Sequence, residues 1–289
     1  MSGYRKRSGT SSNQKIYKLF TTVLMSLGAL VMLYPLVWMV VSSFKPEIMI
    51  FKDKSLIIKA FTLDNYVRGI KGVAGTGFFE YILNSLKVVI PVVIGTLISC
   101  SFVGYAVSRL TFPFKRFIFP TILLTMMLPI HATLIPRYIM FRNLHWIDSY
   151  LPLTVPSFFA VQGFFCYLFI EFMRGIPKEL DQAATVDGCG PITIYFRIIM
   201  PLSLPVFITA AIFSFMWTYD DFFSQLIYIN NPTKFTIALS LRQYTEAFEQ
   251  SAFGVLFAMS TLSLIPIFIL FISCQKYLVE GIATTGLKG

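Results

Sequence analysis

Charged residues are scarce in this sequence: of its 289 residues, only 13% are Asp, Glu, Lys or Arg. An average globular domain carries about 25%. Hydrophobic residues make up 56% of the chain, and Phe alone occurs 30 times. This composition excludes a disordered chain, a coiled coil and a secreted disulfide scaffold, and it disfavours a soluble enzyme. It is typical of a protein that crosses a membrane several times.

Histidine and cysteine are also scarce, which limits the chemistry that the chain can carry. The histidines are His131 and His145, no acidic or thiol cluster accompanies them, and the four cysteines show no C-x-x-C spacing. We therefore predict no metal site and interpret the cysteines as small packing residues. The sequence also lacks G-x-x-x-x-G-K-[ST], the loop that cradles nucleotide phosphates. We predict that the chain is not itself an enzyme and binds no cofactor.

The scarcity of charge is concentrated in a few long segments. Six segments of 20 to 26 residues contain no Asp, Glu, Lys or Arg, and no other uncharged run exceeds 12 residues. A helix needs about 20 residues to cross the hydrocarbon core of a bilayer, where a charge is costly. The runs therefore predict an all-α membrane protein. Its six transmembrane helices are expected at about 19–44, 88–108, 117–136, 149–170, 198–219 and 250–275.

Lysine and arginine predict the orientation. Six spans put both termini on one side, which holds 13 Lys and Arg residues against 10 on the other, with Lys87 left out because it lies at the entrance to a span. The positive-inside rule then places both termini in the cytoplasm. We predict a basic tail at 1–18, a transmembrane domain at 19–275 and a cytoplasmic tail at 276–289. The net charge of +10 suits contact with anionic membrane lipid, and no aromatic-basic module indicates nucleic acid.

The cytoplasmic loop at 173–197 is the most distinctive segment. Pro177 suits the first turn of a helix, and the acidic residues that follow favour the positive end of the helix dipole. Gly188 can end that helix in a left-handed conformation. The helix offers a small apolar face with Ala183 and Ala184, which suits close docking on a partner. A connecting loop packed on its own bundle is the alternative interpretation.

This loop resembles the cytoplasmic EAA loop of permease subunits of binding-protein-dependent ABC importers. It is most similar to the carbohydrate-uptake branch, and there to the smaller subunit of the maltodextrin-importer type. The family pattern I-P-x-E-L-x-E-A-A-x-x-D-G-A falls on residues 176–189. Gln182 and Cys189 depart from it, and Met200 replaces a Leu in the stretch that follows. Gln182 keeps hydrogen-bonding capacity but loses a charge.

Similar matches recur along most of the chain. They are Asn84-Ser85, Tyr105-Ala106 with Arg109 and Phe112, Leu128-Pro129 with Leu134 to Pro136, residues 196–205, residues 217–223 and the tail from Gly281 to Gly289.

The resemblance implies a type I ABC importer permease bundle with a cytoplasmic coupling helix, in the bacterial cytoplasmic (inner) membrane. It implies a second homologous permease as partner, two separate ATPase subunits that bind ATP and Mg, and an extracytoplasmic solute-binding protein. The substrate that it implies is a sugar or oligosaccharide. The chain would form half of the translocation pathway and work by alternating access between inward-facing and outward-facing states.

The resemblance also implies which residues meet the ATPase. In the coupling helix and its turn they are Glu179, Leu180, Gln182, Ala183, Ala184, Asp187 and Gly188. In the C-terminal tail they are Gly286, Lys288 and Gly289.

Polar and aromatic residues in or beside the runs are candidates for the sugar pathway, since aromatic faces and amide or hydroxyl groups hold neutral sugars. The candidates are Asn84, Gln162, Trp217, Tyr219, Asp220 and Gln225. For Asn84 and Gln162, hydrogen bonding between helices is the alternative. Arg137, at the end of the third run, could attract an acidic saccharide or simply extend its charge to the membrane surface.

Three other functions stay open at this point. The same machinery could carry a solute other than a sugar. A secondary transporter would need a buried ionisable residue for ion coupling, and the six runs hold none apart from His131. An enzyme embedded in the membrane would need paired carboxylates or a Ser/His set, and no such set occurs in the runs.

Overall fold

The computed structural model describes residues 12–73, 75–247 and 253–286, and these are almost entirely helical. Apart from one bridge between Val73 and Thr76, the described residues contain no β-structure. In chain order the α-helices are α1 (Ser12–Ser43), α2 (Glu47–Ile50), α3 (Asp64–Lys71), α4 (Phe78–Arg109), α5 (Lys115–Met127), α6 (Leu134–Asn143), α7 (Leu151–Thr154), α8 (Gly163–Arg174), α9 (Glu179–Val186), α10 (Pro191–Ile194), α11 (Met200–Leu202), α12 (Leu204–Tyr219), α13 (Phe222–Tyr228), α14 (Ile237–Ala247), α15 (Phe253–Ser263) and α16 (Ile265–Gly286). Short 3₁₀ turns lie at Ile130–Thr133, Val155–Phe159 and Pro232–Lys234, and one π-helical turn lies at Tyr195–Ile199.

Four helical stretches are long and apolar enough to cross a membrane. They are Ile16–Ser43, Phe78–Arg109, Leu151–Arg174 and Phe253–Lys276. All-helical spans are expected, because lipid offers no partner for a backbone N–H or C=O group and a helix pairs these groups internally. The expectation of an all-α protein is confirmed.

The other two uncharged runs are bent rather than straight. α5 and the stretch His131–Asn143 meet at 94°, and Pro191–Leu202 meets α12 at 75°. The first bend follows Leu128 and Pro129, since proline lacks an N–H and holds the preceding residue in an extended conformation. The second lies at Ser203, just before Leu204-Pro205. Each bent pair supplies a span only if its two arms are counted together, which raises the number of candidate spans to six.

α4 is the central helix of the bundle, and each of its halves packs into a different apolar cluster. The C-terminal half joins the first cluster, in which Tyr105, Phe165 and Phe169 are buried together. The N-terminal half joins the second cluster, in which Phe78 and Tyr81 pack with residues of α14 and α15. With 32 residues, α4 is about 48 Å long and extends beyond a hydrocarbon core of about 30 Å.

Close packing between α4 and α8 depends on a small residue. A Cβ atom added at Gly104 would lie 2.5 Å from the Cβ atom of Phe169, so no larger side chain fits there without movement. Small residues let helix backbones approach within membranes, where packing replaces the hydrophobic effect as the main attraction between helices.

α1 stands apart from the rest of the bundle. None of the residues in its most apolar 18-residue stretch is buried, and the helix packs mainly along α15. A continuous apolar surface of this kind needs lipid or another membrane protein around it.

Candidate functional site

The predicted coupling helix, α9, is attached to the C-terminal end of α4 by a buried arginine. The side chain of Arg109 is only 2% exposed, and its Nη1 atom lies 3.2 Å from Oδ2 of Asp181 in α9. Its Nη2 atom donates hydrogen bonds of 2.6 Å to the carbonyl oxygens of Met173 and Ile176. One guanidinium group therefore joins the end of α8, the turn before α9 and α9 itself to the end of α4.

Two further side chains of α4 continue this attachment. The hydroxyl of Tyr105 donates to the carbonyl of Pro191 at 2.9 Å, and the hydroxyls of Ser101 and Tyr195 are 2.7 Å apart. Ser101, Tyr105 and Arg109 are spaced by four residues, so they lie on one face of the helix. Together they hold the loop from Met173 to Tyr195 along that face. We call these three residues the α4 row.

Six of the seven predicted coupling residues are exposed, and the seventh is buried. Glu179, Leu180, Gln182, Ala183, Asp187 and Gly188 are open to solvent, whereas Ala184 lies in the first apolar cluster. The expectation that Ala183 and Ala184 share one exposed face is therefore wrong. Asp181 and Ala184 are three residues apart and share a helix face, and the bond from Asp181 to Arg109 turns that face toward the bundle.

Two exposed apolar side chains lie next to the predicted contact residues without being among them, although the sequence places Val186 on the apolar face of the helix with Leu180, Ala183 and Ala184. Val186 is 88% exposed and Ile192 is 75% exposed, one on each side of the turn at Gly188. Their signal in the sequence was an apolar residue on either side of a glycine turn in a segment predicted to dock. They extend the exposed surface of α9 and its turn, which we call the α9 surface: Glu179, Leu180, Gln182, Ala183, Val186, Asp187, Gly188 and Ile192.

The turn after α9 has the predicted left-handed glycine. Gly188 has φ +79°, and the N–H of Cys189 donates to the carbonyl of Ala184 at 2.9 Å. A Cβ atom added at Gly188 would meet nothing within 4 Å, so only its backbone conformation restricts this position to glycine. Cys189 itself is partly buried against the first cluster.

A cavity of about 430 Å³ lies toward the N-terminal half of α4, beside α13. We call it the α13 cavity. Gln162 and Gln225 line it, as do Arg137, Thr218 and Asp221. Gln225 is 2% exposed, and its Oε1 atom has no hydrogen-bond partner in the described part of the chain. A buried amide oxygen without a partner costs free energy, which a donor from a rearranged neighbour or a solute hydroxyl would offset.

A second cavity of about 400 Å³ adjoins the first. It shares Gln162, Thr218 and Asp221 with the α13 cavity and adds the indole of Trp217. Three of the six predicted pathway residues, Gln162, Trp217 and Gln225, are thus brought together. Thr218 and Asp221 were missed, because polar residues at the end of an uncharged run also suit solvent.

The other three pathway candidates are placed differently. Asn84 donates to the carbonyls of Thr233 at 2.8 Å and Phe235 at 3.1 Å, which matches the hydrogen-bonding alternative. Tyr219 is buried, and its hydroxyl donates to the carbonyl of Ser263 at 3.0 Å. Asp220 is exposed and lines neither of the two cavities.

The loop between α13 and α14 is held beside the α13 cavity by an aspartate. Asp148 Oδ1 accepts from the N–H groups of Asn230 and Asn231 at 3.0 and 2.9 Å, and its Oδ2 atom lies 2.8 Å from Nζ of Lys234. Burial opposes ionisation of Asp148, but the hydrogen bonds from Lys234 and the two N–H groups outweigh it. The pKa of Asp148 is therefore lowered from its ordinary value.

The remaining predicted positions lie at the C-terminus. Gly286 is the last residue of α16, whereas Lys288 and Gly289 fall outside the described residues.

Within the ranges that the structure covers, no group of three or more His, Cys, Asp or Glu side chains could hold a metal ion.

Comparison with known proteins identifies a family. The family described as "Binding-protein-dependent transport system inner membrane component" matches residues 100–284, which include the α9 surface and the residues at 217–225.

Two curated relatives cover nearly the whole chain. The probable ABC transporter permease protein YurM of Bacillus subtilis is 33% identical over 256 residues, which are 89% of this chain and 84% of that protein. The arabinooligosaccharides transport system permease protein AraQ of the same organism is 27% identical over 277 residues, 95% of this chain and 97% of that protein.

A solved structure shares the fold. The crystal structure of a bacterial ABC transporter involved in the import of the acidic polysaccharide alginate contains a chain that superposes with a TM-score of 0.81. The match covers 96% of this chain and 99% of that chain, at 20% sequence identity.

Proposed function

Because this chain belongs to the family of binding-protein-dependent transport system inner membrane components, it is an ABC importer permease, and we propose that it imports a sugar or oligosaccharide. The relative AraQ supports this substrate class, since it is an arabinooligosaccharides transport system permease protein. The cavity walls support it as well. The amides of Gln162 and Gln225 and the indole of Trp217 offer the hydrogen bonds and the apolar face that a sugar ring needs.

The proposed topology has six spans, with each bent helix pair counted as one. Both termini are cytoplasmic, the transmembrane domain runs over 19–275, and the tails are 1–18 and 276–289. The excess of Lys and Arg on the side of the termini supports this orientation. It places α9 at the cytoplasmic face and the α13 cavity toward the outside of the cytoplasmic membrane.

The proposed complex contains four further kinds of component. A second homologous permease completes the pathway, two ATPase subunits bind ATP and Mg, a solute-binding protein delivers the sugar from outside, and lipid surrounds the bundle. The unburied face of α1 supports a role at the edge of such an assembly. Gly286, Lys288 and Gly289 are proposed to reach the ATPase.

The α9 surface is the proposed contact with the ATPase. The single observation that carries this proposal is that α9 exposes its outer side while Arg109 binds its inner side, through Asp181, to α4. Tyr105 and Ser101 hold the segment that follows, at Pro191 and Tyr195, to the same helix. A movement of the ATPase would move α9, and the hydrogen bonds of the α4 row would carry that movement into the central helix. Asn84 and Tyr219 keep structural roles in this scheme, and Asp220 lies outside the proposed pathway.

Replacement of Gly188 tests the contact. Gly188→Val places a β-branched residue at φ +79°, which costs roughly 1–2 kcal/mol and deforms the turn that ends α9. We expect at least a tenfold loss of sugar uptake by the reconstituted complex, while ATP hydrolysis continues without coupling to transport.

Gly190 provides the matched control. It has φ −75°, and a Cβ atom there would also meet nothing within 4 Å, so Gly190→Val adds the same side chain without backbone strain. Uptake by this variant should stay within about twofold of wild type. Normal uptake by a fully assembled Gly188→Val complex would refute the proposed contact.

A further inference from the structure

A third cavity, of about 690 Å³, lies between the loop after α4, the start of α5 and the end of α8. Aromatic rings and cations dominate its lining. The lining residues are Val107, Phe112, Phe114, Lys115, Arg116, Phe117, Phe119, Pro120 and Arg174. Within the described residues, no carboxylate lines this cavity. An aromatic cavity with three cations suits an anion that carries an apolar part.

The cations are held in place by their neighbours. The guanidinium of Arg174 lies 4.2 Å from the ring centroid of Phe119, and that of Arg116 lies 4.9 Å from the ring centroid of Phe117. Lys115 donates to the carbonyl of Leu110 at 2.6 Å. Rings at these distances attract the guanidinium groups and fix where they lie.

The positive charge around this cavity is only partly compensated. Arg174 pairs with Glu171 at 2.8 Å on the exposed surface, while Lys115, Arg116 and Arg174 all line this one cavity. Like charges around one cavity repel one another, and a bound anion would relieve the repulsion.

The cavity lies where membrane-spanning helices end. α8 ends at Arg174 and α5 begins at Lys115, so the cations stand at the level of the lipid headgroups in the proposed topology. Phe114 has φ 62° and is 76% exposed, and Phe117 is also exposed. These rings offer an apolar surface beside the cations, which free phosphate would leave unused.

We propose that this cavity binds the headgroup of an anionic phospholipid, with its phosphate among Lys115, Arg116 and Arg174 and its glycerol and acyl chains against Phe114 and Phe117. Basic pockets between spans on the cytoplasmic side suit anionic headgroups. The proposal rests on the proposed function only for the placement of this face at the cytoplasmic leaflet.

Native mass spectrometry of the whole complex tests the site. The complex of this chain with its partner permease and ATPases is titrated with phosphatidylglycerol, phosphatidylcholine or inorganic phosphate. We expect retained phosphatidylglycerol and no comparable retention of phosphatidylcholine. Each of Lys115→Gln, Arg116→Gln and Arg174→Gln should weaken phosphatidylglycerol binding about fivefold. A variant that keeps the charges, with Lys115→Arg, Arg116→Lys and Arg174→Lys, should bind nearly as well as wild type.

The control removes the same charge elsewhere. Lys52, Lys54 and Lys71 are exposed and lie outside the cavity, so Lys52→Gln, Lys54→Gln and Lys71→Gln together should leave binding unchanged. Equal losses in control and cavity variants would overturn the proposal, as would unchanged binding in the cavity variants or saturation by inorganic phosphate alone. Sugar uptake is measured in the same preparations, so a failure of the transport function is seen separately from a failure of lipid binding.

Discussion

The two ends of α4 hold their neighbours by different chemistry. At the C-terminal end, the charged guanidinium of Arg109 binds the loop that contains α9. At the N-terminal end, neutral groups make the corresponding contacts. Asn84 donates to the carbonyls of Thr233 and Phe235, and Ser85 Oγ accepts from the N–H of Ile237. Hydrogen bonds with an ionised partner are about twice as strong as neutral ones.

This difference suggests a division of roles within one helix. The end beside the proposed ATPase contact is joined tightly, so we expect α9 and α4 to move together. The end near the proposed sugar cavity is joined by weaker bonds, which we expect to rearrange when the pathway opens. The comparison predicts that damage at the C-terminal end disturbs transport more than damage at the N-terminal end.

Removal of Arg109 should have the largest effect. Arg109→Met removes the side-chain donor to the carbonyls of Met173 and Ile176 and to the carboxylate of Asp181, although the Met173 carbonyl still accepts from the N–H of Ile176. Breaking a buried pair on one side costs roughly 3–5 kcal/mol, toward the low end here because Asp181 is partly exposed. We expect sugar uptake to fall more than tenfold, with ATP hydrolysis reduced less than uptake in the purified complex.

The exposed Arg142→Met is the control for loss of an arginine, and it should leave both rates within about twofold of wild type. Arg109→Lys keeps the charge but not the fork of donors, and we expect it to restore part of the uptake. An Arg109→Met complex that assembles and transports normally would show that the α4 row does not transmit movement.

Replacement of Asn84 should have a smaller effect. Asn84→Leu keeps the approximate size of the side chain but removes the hydrogen bonds to the partly buried carbonyls of Thr233 and Phe235, at a cost of about 1–3 kcal/mol. We expect a lower melting temperature and a reduction of uptake of less than tenfold, measured on the same samples as Arg109→Met. The exposed Asn143→Leu should change neither quantity. A loss of coupling equal to that of Arg109→Met would abolish the distinction between the two ends.

Acid should loosen the loop between α13 and α14, and this is the smallest expected effect. The folded pKa of Asp148 is lowered, so the stability that its ionised form contributes is complete above the unfolded pKa and is lost as pH falls through the lowered value. We expect the melting-temperature difference between wild type and Asp148→Asn to be constant from about pH 7 to 5 and to shrink below about pH 4. A difference that shrinks already near pH 6 would assign the effect to another group.

Four of the six uncharged runs coincide with helical stretches long and apolar enough to cross a membrane, because charge is so costly in lipid that its absence marks such helices. The uncharged runs did not predict the bends. The absence of charge from 117 to 136 gives the length of an apolar segment but not the direction of the helix axis along it. The break at Leu128-Pro129 was visible as a proline, but Pro91 lies inside the continuous helix α4. Whether proline bends or breaks a span depends on which neighbours donate hydrogen bonds to the carbonyls that it leaves free.

The sequence predicted which segment forms the candidate site, but not which residues of its helix are exposed and which are buried. The motif pointed to residues 176–189, and the family match confirms the permease that it implied. Alanine suits both an exposed contact and a buried one, so the sequence could not separate Ala183 from Ala184. The separation depends on Arg109, which lies 72 residues before its partner Asp181. Likewise, Gln162 and Gln225 meet only because helices distant in sequence pack side by side.

The turn after α9 has a practical consequence for measurement. Cys189 follows Gly188 and is partly exposed, whereas Cys100 and Cys166 are buried and Cys274 is the other partly exposed thiol among the described residues. With Cys274→Ser, a maleimide dye would therefore label a single native position beside the proposed ATPase contact. The labelling rate and dye fluorescence would then report engagement and release during each transport cycle, without any new cysteine in the chain.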